Sequence, residues 1–432
     1  MAATLRIALA GLGTVGAGVL RLLEENGDLI AARAGRAIEV VAVSARDRSK
    51  DRGVDLSAYD WEDDMTAFAA REDVDVVVEL VGGSDGPALA LARKALAGGK
   101  GVVTANKAMI AHHGLELARL AEQSDAPLRY EAAVSGGIPV VKGLGEGAAA
   151  NRIERIYGIL NGTCNYVLSA MESAGADFAE VLSDAQALGY AEADPTFDIE
   201  GVDAGHKLAI LASLAFGTQL DFDAVETTGI TRIRAADIAQ GKALGYVIRL
   251  IGLADVSDDG HLFQRVAPYL VPVSHPLAGV TGPTNAVVAE GNFSGRLLFE
   301  GAGAGDGPTA SAVVADLIDI ARGSRAAPFS LPVAGLKAAE PADPGHRRNR
   351  AYLRFVVADR PGVLAEITAA MRDAGVSIES MMQHGQPDDT GEPVLVAMVT
   401  HDGPESGVAS ALALLEGSES LVEEPLVMRL LG

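Results

Sequence analysis

Residues 5–10, LRIALA, read as a buried strand, apolar except for Arg6, that passes directly into Gly11-Leu12-Gly13-Thr14-Val15-Gly16 and then into a helical pattern reaching Leu23. That order of strand, glycine turn and helix commits the N-terminal part of the chain to a parallel sheet with crossover helices. Gly11 permits the tight turn, Gly13 lets backbone approach a pyrophosphate, and Gly16 lets the helix pack on the strand. Thr14 and Val15 open the helix, whose N-terminus favours phosphate charge. A tight turn without a ligand is the plainer reading of the glycines alone; the strand before and the helix after favour a dinucleotide. A second strand, 38–43, ends in Ser44-Ala45-Arg46-Asp47-Arg48. An acidic residue at such a tip holds a ribose 2′-hydroxyl and a basic one a 2′-phosphate. Arg46 comes first, so NADP is expected, and Asp47 keeps NAD open. Further strands are expected at 74–81, 101–105 and 128–134. Their carboxyl ends are where ligands bind in this architecture, and Lys107 stands just beyond one of them.

The stretch 188–207, LGYAEADPTFDIEGVDAGHK, carries Glu192, Asp194, Asp198, Glu200 and Asp203 and closes on Lys207, ahead of an apolar helix. Asp203 and Lys207 are four apart and share one helical face. Pro195 disfavours helix at Asp194, which keeps the acidic segment a loop. A lysine held beside carboxylates at a helix mouth can donate a proton, anchor a substrate, or both. A solvated acidic loop with an ordinary helical salt bridge is the plainer alternative.

Upstream, 153–160 reads as a strand, followed by Asn161-Gly162-Thr163-Cys164-Asn165-Tyr166, where Asn-Gly turns the chain and Thr163 can cap a helix. Strands at 262–273, 285–290 and 295–299 predict a mixed sheet. Helices starting near Asn161, Asp177 and Asp203 are expected on one face, leaving the other free for dimerisation. The glycine-rich stretch 301–309 runs into a helix through Ala321 that is expected to return to the first domain and complete it. Residues 326–350 hold four prolines and read as a linker. Beyond them a β-α-β-β-α-β order predicts a self-contained ferredoxin-like module.

Net charge is −23, with 35 basic against 58 acidic residues, which argues against nucleic acid or an anionic membrane as partner. No apolar run is long enough for a membrane span, and the first residues lack a charged leader with a cleavage site, so a cytoplasmic protein is expected. Cys164 is the sole cysteine, so no disulfide or zinc knuckle is available.

The phrase Gly-Tyr-x-Glu-x-Asp-Pro-x-x-Asp-x-x-Gly-x-Asp-x-x-x-Lys closely resembles the signature of homoserine dehydrogenases, which reduce aspartate semialdehyde to homoserine with NADPH or NADH. Thr104-Ala105-Asn106-Lys107 and the Asn161-Gly162-Thr163 phrase are similar to the same family. The resemblance implies an α/β fold: a Rossmann-type domain (1–135 plus 301–325), an α+β substrate and dimerisation domain with a mixed sheet (136–300), a linker, and a C-terminal module at 351–432. With Asp359-Arg360-Pro361-Gly362-Val363-Leu364 after its first strand, that module resembles an ACT domain. It implies Lys207, Lys107 and Asp203 as catalytic residues, with Glu192, Asp198, Asn161, Thr163 and Lys207 around the substrate. Lys107 and Gly303 are implied to border the nicotinamide. A monovalent cation, sodium, is implied at Glu131 and the backbone of Val134, Gly136 and Ile138; the residues alone read equally well as a domain hinge. Asp359 and Gly362 are implied to receive an amino acid effector, threonine, with simple dimerisation as the competing role. A homodimer or homotetramer is expected. Two rivals remain. Aspartate-semialdehyde dehydrogenase chemistry needs a cysteine nucleophile, for which only Cys164 is available. A non-catalytic amino acid sensor is the other.

Overall fold

The computed structural model describes residues 3–257, 259–384 and 393–432. The N-terminal domain alternates strand and helix: β1 (Leu5–Ala10), α1 (Thr14–Glu25), α2 (Gly27–Ala34), β2 (Ile38–Ser44), β3 (Asp60–Trp61), β4 (Val76–Glu79), α3 (Pro87–Ala97), β5 (Gly101–Thr104), α4 (Lys107–Ser124) and β6 (Leu128–Arg129). All pair in parallel in the order β3-β2-β1-β4-β5-β6. The order reverses between β1 and β4, so the crevice for a ligand opens over the glycine turn. Asn106 caps α4, its Oδ1 accepting from Met109 N at 3.1 Å, and this fixes Lys107 as the first helical residue at the sheet's carboxyl edge.

The strand expected at 128–134 stops at Arg129. Residues Glu131–Ala133 form a 3-10 turn and Ser135 and Gly136 take left-handed φ of 57° and 55°. The turn faces the Glu131 carboxylate inward, onto the backbone N–H groups of Val141 and Lys142 in the short α5 (Val140–Lys142).

The second domain runs β7 (Ile153–Ile159), α6 (Gly162–Ala174), α7 (Phe178–Ala187), α8 (Thr196–Ile199), α9 (Val202–Phe216), β8 (Glu226–Thr227), α10 (Ala235–Ala243), β9 (Tyr246–Val256), β10 (Leu262–Pro272), β11 (Thr284–Gly291) and β12 (Gly295–Ala302). β9 is absent from the strands the sequence predicts, although it pairs with β10 along its whole length. Asn161, not Thr163, caps α6: its Oδ1 accepts from Cys164 N at 2.8 Å, which frees the Thr163 hydroxyl for another partner. Nor is one sheet face left bare. Tyr157, Leu253 and Tyr269, on the side away from the helices, are buried within the chain. Exposed and half-buried residues lie instead along β12.

α11 (Asp306–Ala321) crosses back and packs on α1, joining Val313 and Leu317 to the core of β1, α1 and β4 as expected. The stretch expected as a linker is a packed strap. Phe329, Val333 and Leu336 are buried, and the Tyr130 hydroxyl donates to the Pro328 carbonyl. A few well-placed apolar residues suffice to pin such a strap without any periodicity.

β13 (Arg348–Asn349) leads into β14 (Ala351–Val357), α12 (Val363–Asp373), β15 (Ile378–His384), β16 (Val394–Thr400), β17 (Gly403–Pro404), α13 (Glu405–Leu414) and β18 (Leu426–Leu430). The four long strands run β18-β14-β16-β15, the expected ferredoxin-like order. The module is not self-contained, however. β18 pairs in parallel with β10, so one sheet runs unbroken from β12 to β15. Ion pairs reinforce the seam: Arg354 with Asp237, Arg265 and Arg429 with Glu405, and Arg347 with Asp255. Tyr352 also donates to Asp237 at 2.9 Å.

Candidate active site

α4 brings Lys107 from the first domain and α9 brings Asp203 and Lys207 from the second, and the three side chains meet. Lys107 Nζ lies 2.9 Å from Asp203 Oδ1, and Lys207 Nζ lies 2.7 Å from Asp203 Oδ2. One carboxylate thus receives two ammonium groups, one on each oxygen. Gly201, in a left-handed conformation, starts α9 so that Asp203 sits in its first turn. Burial works to raise the Asp203 carboxyl, but the charges of Lys207 and Lys107 outweigh it and hold the group well below the usual range. For Lys107, burial pulls downward and Asp203 more than compensates, so the ammonium is held above its ordinary value. Lys207 spends a second N–H on the Leu160 carbonyl at 2.8 Å. An ammonium has three donors; among the described residues the third is uncommitted.

Asn161 and Asp198 complete the wall. Asn161 Nδ2 donates to Asp203 Oδ2 and Asp198 Oδ1, both at 2.8 Å, and Thr163 Oγ1 donates to Asp198 Oδ2 at 3.0 Å. Glu192 stands on the exposed part of the acidic loop, close enough for its charge to add to the upward pull on Lys107 but outside this hydrogen-bonded set. Asn285 is a residue the sequence reading passed over. It lies inside β11, where only its apolar neighbours carry a signal, yet its Nδ2 donates to the same Leu160 carbonyl as Lys207. Phe197 was missed as well, and its ring lies 5.6 Å from Lys107 Nζ. Cys164 is buried and donates to the Asp198 carbonyl at 3.1 Å. Burial, then the charges of Asp198 and Asp203, push its thiol well up, which is the reverse of an activated nucleophile.

A cavity of about 490 Å³ opens beside Lys107, lined by Gly82, Gly83, Asn106, Phe197 and Val202 among others. It lies at the carboxyl ends of β4 and β5, where a nicotinamide belongs. The glycine turn fits a pyrophosphate. A Cβ at Gly16 would stand 2.1 Å from the Gly11 carbonyl oxygen, whereas one at Gly13 would meet nothing within 4 Å. Backbone is therefore bare where the phosphate would come, and α1 starts there at Thr14 and Val15 with no side chain capping it. Asp47 is turned onto Ser49, whose hydroxyl and backbone N–H hold its carboxyl below the usual range. Arg46 is exposed at the strand tip, with Arg48 and Arg52 over the Trp61 ring nearby. Gly303 is packed: a Cβ there would fall 2.1 Å from Asn285 Cγ, and one on Gly136 would fall 2.5 Å from the Gly303 carbonyl oxygen. The two glycine turns that join the domains therefore press backbone to backbone.

Beside that crossing, Glu131 accepts from Val141 N and Lys142 N at 2.9 Å each. Burial, then Asp316, raises its carboxyl to about 7. Lys142 is the ammonium paired with Asp316 and Asp319. The Ser135 hydroxyl is buried without a hydrogen-bond partner, and the Ile138 carbonyl already accepts Val140 N. A single buried carboxylate at a turn of main chain through Val134 and Gly136 is a donor set that suits a hard monovalent cation. Among the described residues no cluster of three or more His, Cys, Asp or Glu could hold a metal. In the C-terminal module Asp359 and Gly362 line a cavity of about 170 Å³ against Val357, Gln383 and Val394. Gly362, with φ of 96°, starts α12 with no side-chain cap.

A doubly wound parallel sheet with a bare glycine turn, facing two lysines on one carboxylate, defines a nicotinamide-dependent oxidoreductase. Family models narrow it: homoserine dehydrogenase matches residues 139–318, its NAD-binding domain 11–131, and the ACT domain 351–417. The homoserine dehydrogenase of Neisseria gonorrhoeae is 44% identical, covering 98% of this chain and 97% of its own. That of Pseudomonas aeruginosa is 43% identical with 96% of each covered. A crystal structure of a homoserine dehydrogenase from Thiobacillus denitrificans superposes with a TM-score of 0.92 at 41% identity, covering 99% of this chain and 98% of that one. The chain belongs to the homoserine dehydrogenase family, NAD(P)-dependent oxidoreductases acting on a CH–OH group.

Proposed function

We propose that the protein reduces L-aspartate 4-semialdehyde to L-homoserine with NADPH, in threonine, methionine and isoleucine biosynthesis. The observation that carries this is the Asp203 carboxylate, which holds Lys107 and Lys207 side by side at the mouth of the cleft. The cofactor, when bound, supplies hydride to the aldehyde carbon. As the carbonyl oxygen gains charge, the free N–H of Lys207 donates a proton to it, and Lys107 supplies the second positive charge. Asp203 pairs with both ammonium groups and aims them. Asp198, fixed by Asn161 and Thr163, orients the substrate, and Glu192 receives its amino group. The direct test follows NADPH absorbance on adding aspartate semialdehyde. An unchanged trace sinks this reading and favours a sensor without chemistry.

The exposed Arg46, and an Asp47 carboxylate already engaged by Ser49, favour a 2′-phosphate over a free 2′-hydroxyl. Charge-assisted bonds of this kind contribute about 1.5 kcal/mol or more. Arg46→Ala is expected to raise the KM for NADPH by about tenfold and leave that for NADH alone. Equal shifts for both cofactors remove Arg46 from the phosphate site.

Glu131, Val134, Gly136 and Ile138 are assigned to sodium. The Glu131 carboxyl lies at about 7 against an ordinary 4.5, so the folded state keeps a proton that the unfolded state loses. Stability is therefore undiminished below pH 4.5 and falls as pH rises towards 7, by about 3 kcal/mol at most. A cation that binds the ionised carboxylate reverses that loss. Sodium is expected to raise the unfolding midpoint by a few degrees at pH 8 and hardly at all at pH 5, and Glu131→Gln is expected to abolish the difference. A sodium response independent of Glu131 rules the assignment out.

The C-terminal module is assigned to feedback by threonine, whose carboxylate would meet the α12 N-terminus at Gly362 and whose ammonium would meet Asp359. The chain is expected to work as a homodimer or homotetramer in the cytoplasm. Among the described residues no helix is long and apolar enough to cross a membrane.

A further inference from the structure

The helices that carry the two lysines belong to different domains, and they are tied together twice. The first tie is Lys107 to Asp203. The second lies further along both helices, where His112 Nε2 and His206 Nε2 stand 3.1 Å apart. His206 directly precedes Lys207, and His112 follows Lys107 by five residues on α4. The His206 ring is only 3% exposed and packs 4.2 Å from Phe222 and 5.5 Å from Phe197, the residue that also covers Lys107. Gly205 allows this, since a Cβ there would stand 3.1 Å from Phe222.

Burial, and then His112, push His206 down to about 4, so its ring is neutral at neutral pH. Two imidazoles that meet through Nε2 bond only when one carries a proton on that nitrogen and the other does not. His206 Nδ1 is buried with no partner. A bare acceptor is better tolerated there than an orphaned N–H, so His206 donates from Nε2 and His112 accepts. The bond is directional, and it crosses the cleft between the domains.

The two ties differ in what the reaction asks of them. If Lys107 is to place its charge on the substrate, its bond to Asp203 must loosen during the cycle, whereas the imidazoles, although they line the same cavity, neither give nor take a proton in the reduction. We propose that His112 and His206 are positioning residues for hydride transfer: their bond holds α4 against α9 while Lys107 turns from Asp203 to the substrate. The proposal rests on Lys107 and Lys207 working at the reacting end of the cleft.

The test is a double-mutant cycle on the full-length enzyme, with kcat, the KM for each substrate and NADPH affinity measured separately. His112→Phe and His206→Phe remove the hydrogen bond and keep a ring. Each is expected to lower kcat by about three- to tenfold, the worth of one hydrogen bond, and by more than it changes NADPH affinity, since a ring still fills the cavity wall. The double variant is expected to be no slower than the slower single variant, because one bond is lost only once. His206→Gln, which can still donate, is expected to recover part of the rate. Losses that multiply, or single variants with normal kcat, overturn the proposal. If His206→Phe does not fold, His112→Phe at its exposed position and His206→Gln carry the comparison alone: a normal kcat in the first overturns it. The lysine assignment is tested apart from this, because Lys207→Ala with retained turnover would end that reading whatever the cycle gives.

Discussion

Lys207→Ala lowers kcat by about a thousandfold or more and leaves NADPH affinity within about twofold. The reaction loses both the proton donor and a buried positive charge facing the developing alkoxide, and either loss alone costs about a hundredfold or more. The fold should survive, since Asp203 keeps Lys107 and Asn161 as partners and is not left as an unpaired buried charge. Lys207→Arg should not restore the rate, because a planar guanidinium cannot take the place of a compact ammonium between Leu160 and Asp203. Steady-state rates with intrinsic fluorescence titration of NADPH decide it. Turnover within tenfold of the parent moves the proton donor elsewhere, with Lys107 next in line.

Asp237→Ala destabilises the protein by about 3–5 kcal/mol, the usual cost of removing one partner from a buried ion pair. Arg354 and Asp237 are both buried, and without Asp237 the guanidinium keeps the Arg232 carbonyl and the partly exposed Glu423 as its remaining partners. Burial pushes the Asp237 carboxyl upward against the pull of Arg354, so the pair is held together at a desolvation cost. Replacing both, Asp237→Leu with Arg354→Met, should therefore recover part of the loss, the rest staying with the Tyr352 hydroxyl that has no acceptor in either variant. Chemical denaturation of the two variants checks this, and a double variant as unstable as Asp237→Ala would mean that the seam depends on the charges themselves.

Much of this site was legible in the sequence, because its parts are local. The glycine turn, the Asn106-Lys107 helix start and the Asp203–Lys207 spacing each express a constraint within a few residues, and the structure realises all three as read. What escaped depends on packing between distant segments. Nothing near Asn285 reveals that its amide shares the Leu160 carbonyl with Lys207, and a histidine in an apolar helix reads as core until its partner on α4 is seen. The strand at 128–134 was overextended because its residues suit a strand; the inward turn of Glu131 onto α5 decided against it. The register of β18 on β10 was illegible for the same reason. Alternation shows which face of a strand is apolar, not which neighbour it will find.

Truncating this chain near residue 350 is an unpromising way to free it from feedback. The cut would strip β18 from the flank of β10, leaving bare main-chain donors and acceptors open to any passing strand. Asp237 would lose its counter-charge in the same stroke, and Arg265 one of its two carboxylates, keeping only Glu226. A shortened enzyme should therefore come out of expression as aggregate, and a deregulated one is better sought by single substitutions at the Asp359–Gly362 cavity.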